Sequence, residues 1–179
     1  MRVLVPLAEG FEEIEAVTIV DVLRRASIEV VTAALAENPV RGSHGIAVSA
    51  DAGLDTLQDA EFDAIVLPGG MPGSRTLKGD ERVLSFVRGM ARQDKLVAAI
   101  CAAPIALEAA GVLAGKRATS YPGNELPSAH YVEERVVVDG ALVTSRGPGT
   151  AIEFALTLVE RLKGPEAAQK LRASMLVAS

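Results

Sequence analysis

The order of apolar runs in this 179-residue sequence predicts an α/β fold, a mainly parallel sheet covered by helices on both faces. Three observations carry that expectation. Short strand-like runs alternate with longer stretches of helical periodicity. Some of the runs are apolar throughout, as in Leu96-Val97-Ala98-Ala99-Ile100, which suits strands buried on both sides. With 49% hydrophobic residues the chain can fill a substantial core, and no repeat, low-complexity tract or linker divides it, so one domain over 1–179 is expected.

Taken in order, Val3 to Leu7 reads as a first strand, Glu12 to Ala26 as a helix and Glu29 to Ala34 as a second strand. Ala64 to Leu67 is a third strand, stopped by Pro68-Gly69-Gly70. Asp80 to Gln93 is helical, Leu96 to Ile100 is a strand, and Pro104 to Ala110 is a helix with proline in its first turn, where a missing N–H costs nothing. After Ala118-Thr119 comes a turn-rich segment. Arg135 to Asp139 and Ala141 to Thr144, split by Gly140, read as a local hairpin. Thr150 to Leu162 and Glu166 to Leu176 are the last helices.

Charge and cysteine usage exclude several classes. The 18 basic residues against 23 acidic ones give a net charge of -5 with no basic cluster, so no nucleic-acid partner is expected. A single cysteine rules out an internal disulfide. The amino terminus runs into Glu9, Glu12 and Glu13 rather than into the apolar core of a signal peptide, so a cytoplasmic location is expected. No membrane association is expected, because no apolar segment reaches the roughly 20 residues that span a bilayer.

That single cysteine, Cys101, falls where the run ending at Ile100 gives way to the helix beginning at Pro104. A buried cysteine more often serves only as a small apolar side chain. At a strand-to-helix corner, however, the sulfur faces unpaired helix N–H groups, which favour thiolate over thiol and predict a lowered pKa. Ala99 and Ala103 supply the small residues that a tight strand–nucleophile–helix elbow requires.

Three other features sit at strand ends. Glu15 shares a helix face with Ile19, Val22 and Ala26, so its carboxyl points inward and stays protonated, or else joins Glu12 and Glu13 in complementing the helix terminus from solvent. Gly69-Gly70 allows close backbone approach to a ligand, although loop flexibility alone also explains two glycines. Thr150 with Glu153 fits a capping box, a structural use. No glycine segment matches a phosphate or dinucleotide loop, so no cofactor is expected. His44 and His130 form no metal spacing with Cys101, and no metal is expected.

The segments Ala8-Glu9-Gly10-Phe11-Glu12-Glu13-Ile14-Glu15, Asp21 to Ala26, Val66-Leu67-Pro68-Gly69-Gly70, Ala98 to Pro104, and Thr144 to Thr150 together make the chain resemble the DJ-1/PfpI superfamily, DJ-1-like members in particular. The match runs nearly end to end. The resemblance implies a flavodoxin-like three-layer sandwich and a homodimer, with Glu15 and Arg25 on a helix near the interface and with Arg25, His44 and Tyr121 among the residues that bind an anion or substrate. It also implies roles: Cys101 as the nucleophilic, oxidisable thiol, Glu15 as its protonated partner, and the N–H groups of Gly70 and Ala102, beside Gly69, as an anion pocket.

The sequence departs from the family in two places. Tyr121 stands before Pro122, where many DJ-1-like members have histidine, so no Cys–His dyad can be built there and proton transfer falls to Glu15. The Tyr121 hydroxyl can still hydrogen-bond a substrate oxygen. His44 matches a loop position where the family has an arginine that approaches the site from the partner subunit. Two functions are implied: a glutathione-independent glyoxalase acting on dicarbonyls such as methylglyoxal, with deglycase activity on glycated adducts, or a redox sensor or chaperone whose Cys101 is oxidised to sulfinic acid.

Overall fold

The computed structural model describes residues 1–178. The chain begins with strand β1 (Arg2–Leu7), helix α1 (Glu13–Arg25) and strand β2 (Glu29–Ala34). A short excursion follows, in which β3 (Val40–Arg41) and β4 (Ala47–Val48) pair with each other before β5 (Ala52–Gly53) rejoins the main sheet. Next come β6 (Ala64–Leu67), α2 (Gly73–Gly79), α3 (Glu81–Arg92), β7 (Leu96–Ile100) and α4 (Pro104–Ala110). The two-residue strands β8 (Arg117–Ala118) and β9 (His130–Tyr131) form a second small ladder, and β10 (Val136–Asp139), β11 (Leu142–Ser145), α5 (Ala151–Lys163) and α6 (Pro165–Ser174) complete the chain.

The main sheet has seven strands in the order β10–β11–β7–β6–β1–β2–β5, parallel throughout except for the antiparallel β10–β11 pair. Its strands alternate their side chains between two cores. Val3, Val5 and Leu7 of β1, with Ala64 and Val66 of β6, meet Ile19 of α1 and Phe154 and Leu158 of α5. Leu4, Ile65 and Leu67 point the other way, onto Val83 and Val87 of α3 and Leu107 of α4. The three-layer α/β architecture expected from the alternation is therefore present. Winding reverses beside β1, which lies between β2 and β6, and such a switch point opens a crevice at the carboxyl ends of the strands.

Most long elements fall within a residue or two of their expected bounds, and the differences have local causes. Asp80 is not inside α3 but caps it, its side chain accepting the Arg82 N–H at 2.9 Å. The expected hairpin forms as β10–β11, and β11 also extends the parallel sheet, with Thr144 opposite Ala99 and Ser145 opposite Ile100. The capping box of Thr150 and Glu153 does not form. Thr150 Oγ1 turns back to the Gly147 carbonyl at 2.9 Å and the Ser145 hydroxyl at 2.7 Å, while Glu153 pairs with Arg135 at 2.7 Å. Helix α2 was not expected, because its sequence, Gly73-Ser74-Arg75-Thr76-Leu77-Lys78-Gly79, offers a single apolar anchor, Leu77.

Candidate active site

Three strand ends meet in the crevice. The chain leaving β1 carries Glu15 in the first turns of α1; the chain leaving β6 carries Gly69 and Gly70; the chain leaving β7 carries Cys101. Glu12 N–H donates to the Gly69 carbonyl at 2.9 Å, which ties the start of α1 to the β6 loop. Gly70 has φ +93, and a Cβ there would run into backbone of residues 10 to 12, so this position requires glycine.

Cys101 sits at a strained elbow. Its φ of +64 is a left-handed conformation that side chains other than glycine seldom adopt. Both of its backbone groups are held: its N–H donates to the Ser145 carbonyl at 2.9 Å, and its carbonyl accepts the Tyr121 N–H at 2.7 Å. The flanking Ala99 and Ala103 are fully buried, leaving the turn room to close. Two backbone N–H groups donate to the sulfur, that of Ala102 in the turn leading into α4 and that of Gly70 on the loop after β6.

Glu15 lies with its carboxyl fully buried, on the inward face with Ile19 and Val22 as its helical spacing predicts. One oxygen, Oε2, accepts the Gly69 N–H at 2.8 Å, and the other, Oε1, has no partner among the described residues. Gly69 is wedged between the two acids: a Cβ there would lie 2.5 Å from Glu15 Oε2 and 2.6 Å from Cys101 Cβ. Burial raises the Glu15 carboxyl from its ordinary 4.5 to about 7, against the hydrogen bonds to Cys101 and Gly69 that favour its charged form.

The thiol departs from the sequence expectation of a lowered pKa. Burial, then the charge and hydrogen bond of Glu15, push Cys101 up to about 12, and the Ala102 and Gly70 N–H groups offset only part of this. The sequence showed the helix terminus but not how deeply the sulfur is enclosed. Because two adjacent anions repel in a buried site, the pair keeps one proton across neutral pH, and a thiolate forms only as Glu15 takes that proton.

Of the other residues singled out by sequence, Gly69, Gly70 and Ala102 join Cys101 and Glu15. Tyr121 borders them through its backbone, with its side chain half exposed beside Gly147. Arg25 does not join them. It lies at the opposite end of α1, about 15 Å along the helix from Glu15, where its guanidinium pairs with Asp21 at 2.6 Å.

His44 takes a place the sequence gave no sign of, against Glu12 and Glu13 at the head of α1. Its Nδ1 is 2.9 Å from Glu13 Oε2 and 3.5 Å from Glu12 Oε2. Both carboxylates are buried rather than solvated as the helix-terminus reading supposed. Burial alone would raise Glu13, yet hydrogen bonds from the His44 side chain and the backbone N–H groups of His44 and Ile46 hold it at about 2. The hydrogen bond to Glu13, reinforced by both carboxylate charges, raises His44. Thirty residues separate these partners, and only the compact Gly42-Ser43-His44-Gly45 turn between β3 and β4 brings them together.

An open, mainly parallel sheet with a cysteine on a sharp elbow after a central strand, facing a buried glutamate, defines the flavodoxin-like class of cysteine α/β proteins. Within that class the chain belongs to the DJ-1/PfpI family, whose sequence pattern matches residues 1–161. It is 42% identical to the Parkinson disease protein 7 homolog of Danio rerio, covering 98% of this chain and 97% of that one. It is 37% identical to a Pyrococcus abyssi protein named a deglycase, over 91% of this chain and all of that one. With DJ-1 homolog B of Arabidopsis thaliana it shares 43% identity over 98% of its own length but spans only 41% of that longer protein. Among solved structures, oxidised DJ-1 of Toxoplasma gondii superposes with a TM-score of 0.95 at 42% identity, covering 99% of both chains.

Proposed function

We propose that the protein is a cysteine-dependent enzyme that converts small dicarbonyls such as methylglyoxal to hydroxy acids without glutathione, and that it also acts on the adducts such compounds form. The observation that carries the reading is the Glu15–Cys101 pair: a fully buried carboxyl whose pKa of about 7 suits proton exchange at neutral pH, next to a thiol on an elbow. The name of the Pyrococcus abyssi relative supports the same chemistry. With Tyr121 in place of a histidine, Glu15 carries the proton.

The steps balance within the site. Glu15 accepts the thiol proton as sulfur attacks the aldehyde carbon, then returns it to the new alkoxide, giving a hemithioacetal. The carboxylate next removes the hydrogen from that carbon and delivers a proton to the neighbouring carbon through an enediol. The former aldehyde carbon is thereby oxidised to a thioester while the ketone carbon is reduced to an alcohol, with no outside oxidant. Water cleaves the thioester, releasing the hydroxy acid and the thiol. The N–H groups of Gly70 and Ala102 supply donors for negative charge that develops at the sulfur end.

One observation favours a second use of the site. A similar protein of known structure is described in an oxidised state, and a pocket of N–H donors beside a sulfur suits a sulfinate. In that reading two equivalents of peroxide oxidise the Cys101 thiol to sulfinic acid and leave two waters. The active unit in either reading is a homodimer, because Ile14 and Val17 on the outer face of α1 and Ile46 on the adjoining loop are each at least half exposed. Lactate formation from methylglyoxal separates the readings. Enzymatic function predicts multiple turnovers that Cys101→Ser and Glu15→Gln both abolish; no turnover, with peroxide adding two oxygen atoms to Cys101, replaces it with redox sensing.

A further inference from the structure

We propose that Glu12, Glu13 and His44 form a binding site for a divalent transition metal of the zinc type, separate from the cysteine and independent of the dicarbonyl reading. One nitrogen and two carboxylate oxygens, drawn from the head of α1 and the loop between β3 and β4, lie within 4.8 Å of one another. Ser43 Oγ belongs to the same group, 3.1 Å from His44 Nδ1, 3.2 Å from Glu13 Oε2 and 3.3 Å from Glu12 Oε2. Donors around tetrahedral zinc, bound at about 2.0–2.2 Å, stand roughly 3.3–3.6 Å apart, so the group has close to the required dimensions before any ion enters.

A second observation points to a ligand. Glu12 exposes only 8% of its surface, and among the described residues its carboxylate has no partner outside this group, contacting only Ser43 and His44. Buried carboxylates ordinarily find complete pairing. Here two of them share one imidazole, so even a protonated His44 leaves one negative charge uncompensated. A divalent cation with neutral imidazole removes the deficit. Gly42 adds a cradle, because any Cβ at that position would overlap the Glu13 carboxylate.

The donor set also fixes the supports and the class of ion. Glu13 Oε1 is occupied by the backbone N–H groups of His44 at 2.6 Å and Ile46 at 3.4 Å, which orient Oε2 towards the imidazole as a supporting shell orients a ligand. An imidazole argues against calcium and magnesium, which take oxygen donors, and suits zinc and its neighbours. On binding, the ion replaces the proton shared by His44 Nδ1 and Glu13 Oε2, and that proton leaves to solvent.

The test uses chelator-treated Cys101→Ser protein, which removes the competing thiol, titrated calorimetrically with zinc chloride. One zinc per chain at a micromolar dissociation constant is expected, weakened about tenfold or more by His44→Ala and again by Glu13→Gln, but changed less than about twofold by Glu166→Gln on the exposed face of α6. Circular dichroism and light scattering check that the His44→Ala variant keeps its fold and the proposed homodimer. Millimolar magnesium should not compete. Anomalous diffraction at the zinc edge should put the ion on these three side chains. Absence of stoichiometric zinc binding, undiminished binding in His44→Ala, or an ion located elsewhere overturns the assignment.

Discussion

Replacing Glu15 by glutamine removes a titrating group from the protein interior while keeping the length of its side chain, and the consequence for stability depends on pH in a defined direction. In the folded chain the carboxyl titrates near 7, against an ordinary value of 4.5. Between those values the folded state holds a proton that the unfolded state has released, so raising the pH favours unfolding. The contribution of protonated Glu15 is fully present below about 4.5, declines as pH rises and is lost above about 7, and the interval corresponds to about 3 kcal/mol. Glutamine has no such dependence. Urea unfolding of both proteins at pH 4.5 and pH 8.5, with EDTA present, should show the variant gaining about 3 kcal/mol relative to wild type between the two conditions. In a Cys101→Ser background, which removes the thiol coupled to Glu15, the other groups titrate in both proteins and cancel. An offset of the same size at both pH values would refute the account of Glu15 as a carboxyl whose burial opposes its charge.

Two further outcomes follow from the same geometry. Gly69→Ala drives a methyl group against Glu15 Oε2, Cys101 Cβ and, at 2.9 Å, the Ile100 carbonyl, so thermal or urea unfolding should report a loss of about 1–3 kcal/mol, together with loss of dicarbonyl turnover; a variant as stable and active as wild type would contradict the wedge. Alkylation of Cys101 by iodoacetamide should stay slow through pH 8.5 and accelerate at that pH in Glu15→Gln, where the carboxylate charge no longer opposes the thiolate; a wild-type midpoint below about 8.5 would return the thiol to the acidity expected of a bare helix terminus.

The parts of this molecule legible in its sequence are those in which one local pattern determines the outcome. Leu96 to Ile100 read as a buried strand from its unbroken apolar run, and the helical spacing of Glu15, Ile19 and Val22 offered the inward carboxyl as one of two readings, the one the structure adopts. Cys101 stood out because a strand and a helix meet at it. What was not legible depends on long-range closure. The weakened acidity of Cys101 follows from its burial and then from the nearness of Glu15, which the absent side chain of Gly69 permits across more than thirty residues of intervening chain. The pairing of His44 with Glu12 and Glu13 depends on a two-residue ladder too short to leave any periodicity. Thr150 carries the signature of a cap, yet its hydroxyl is more strongly claimed by Ser145 and Gly147, which only the packed β11 loop brings within reach.

The pinned elbow turns Cys101 into a gauge of the whole assembly. Its backbone is fastened to Ser145 on one side and Tyr121 on the other, and its sulfur to the loop at Gly70, so three other stretches of chain must be in register with its own for the thiol to remain weakly acidic. An unfolded chain offers the same sulfur at the ordinary acidity of a free cysteine, near 8.5, and is therefore the more readily labelled of the two forms at neutral pH. A bulky maleimide applied briefly in a cell extract would mark the disassembled molecules sooner than the intact ones. With only one cysteine in the chain, a single mass shift per molecule then follows the two populations by their labelling rates.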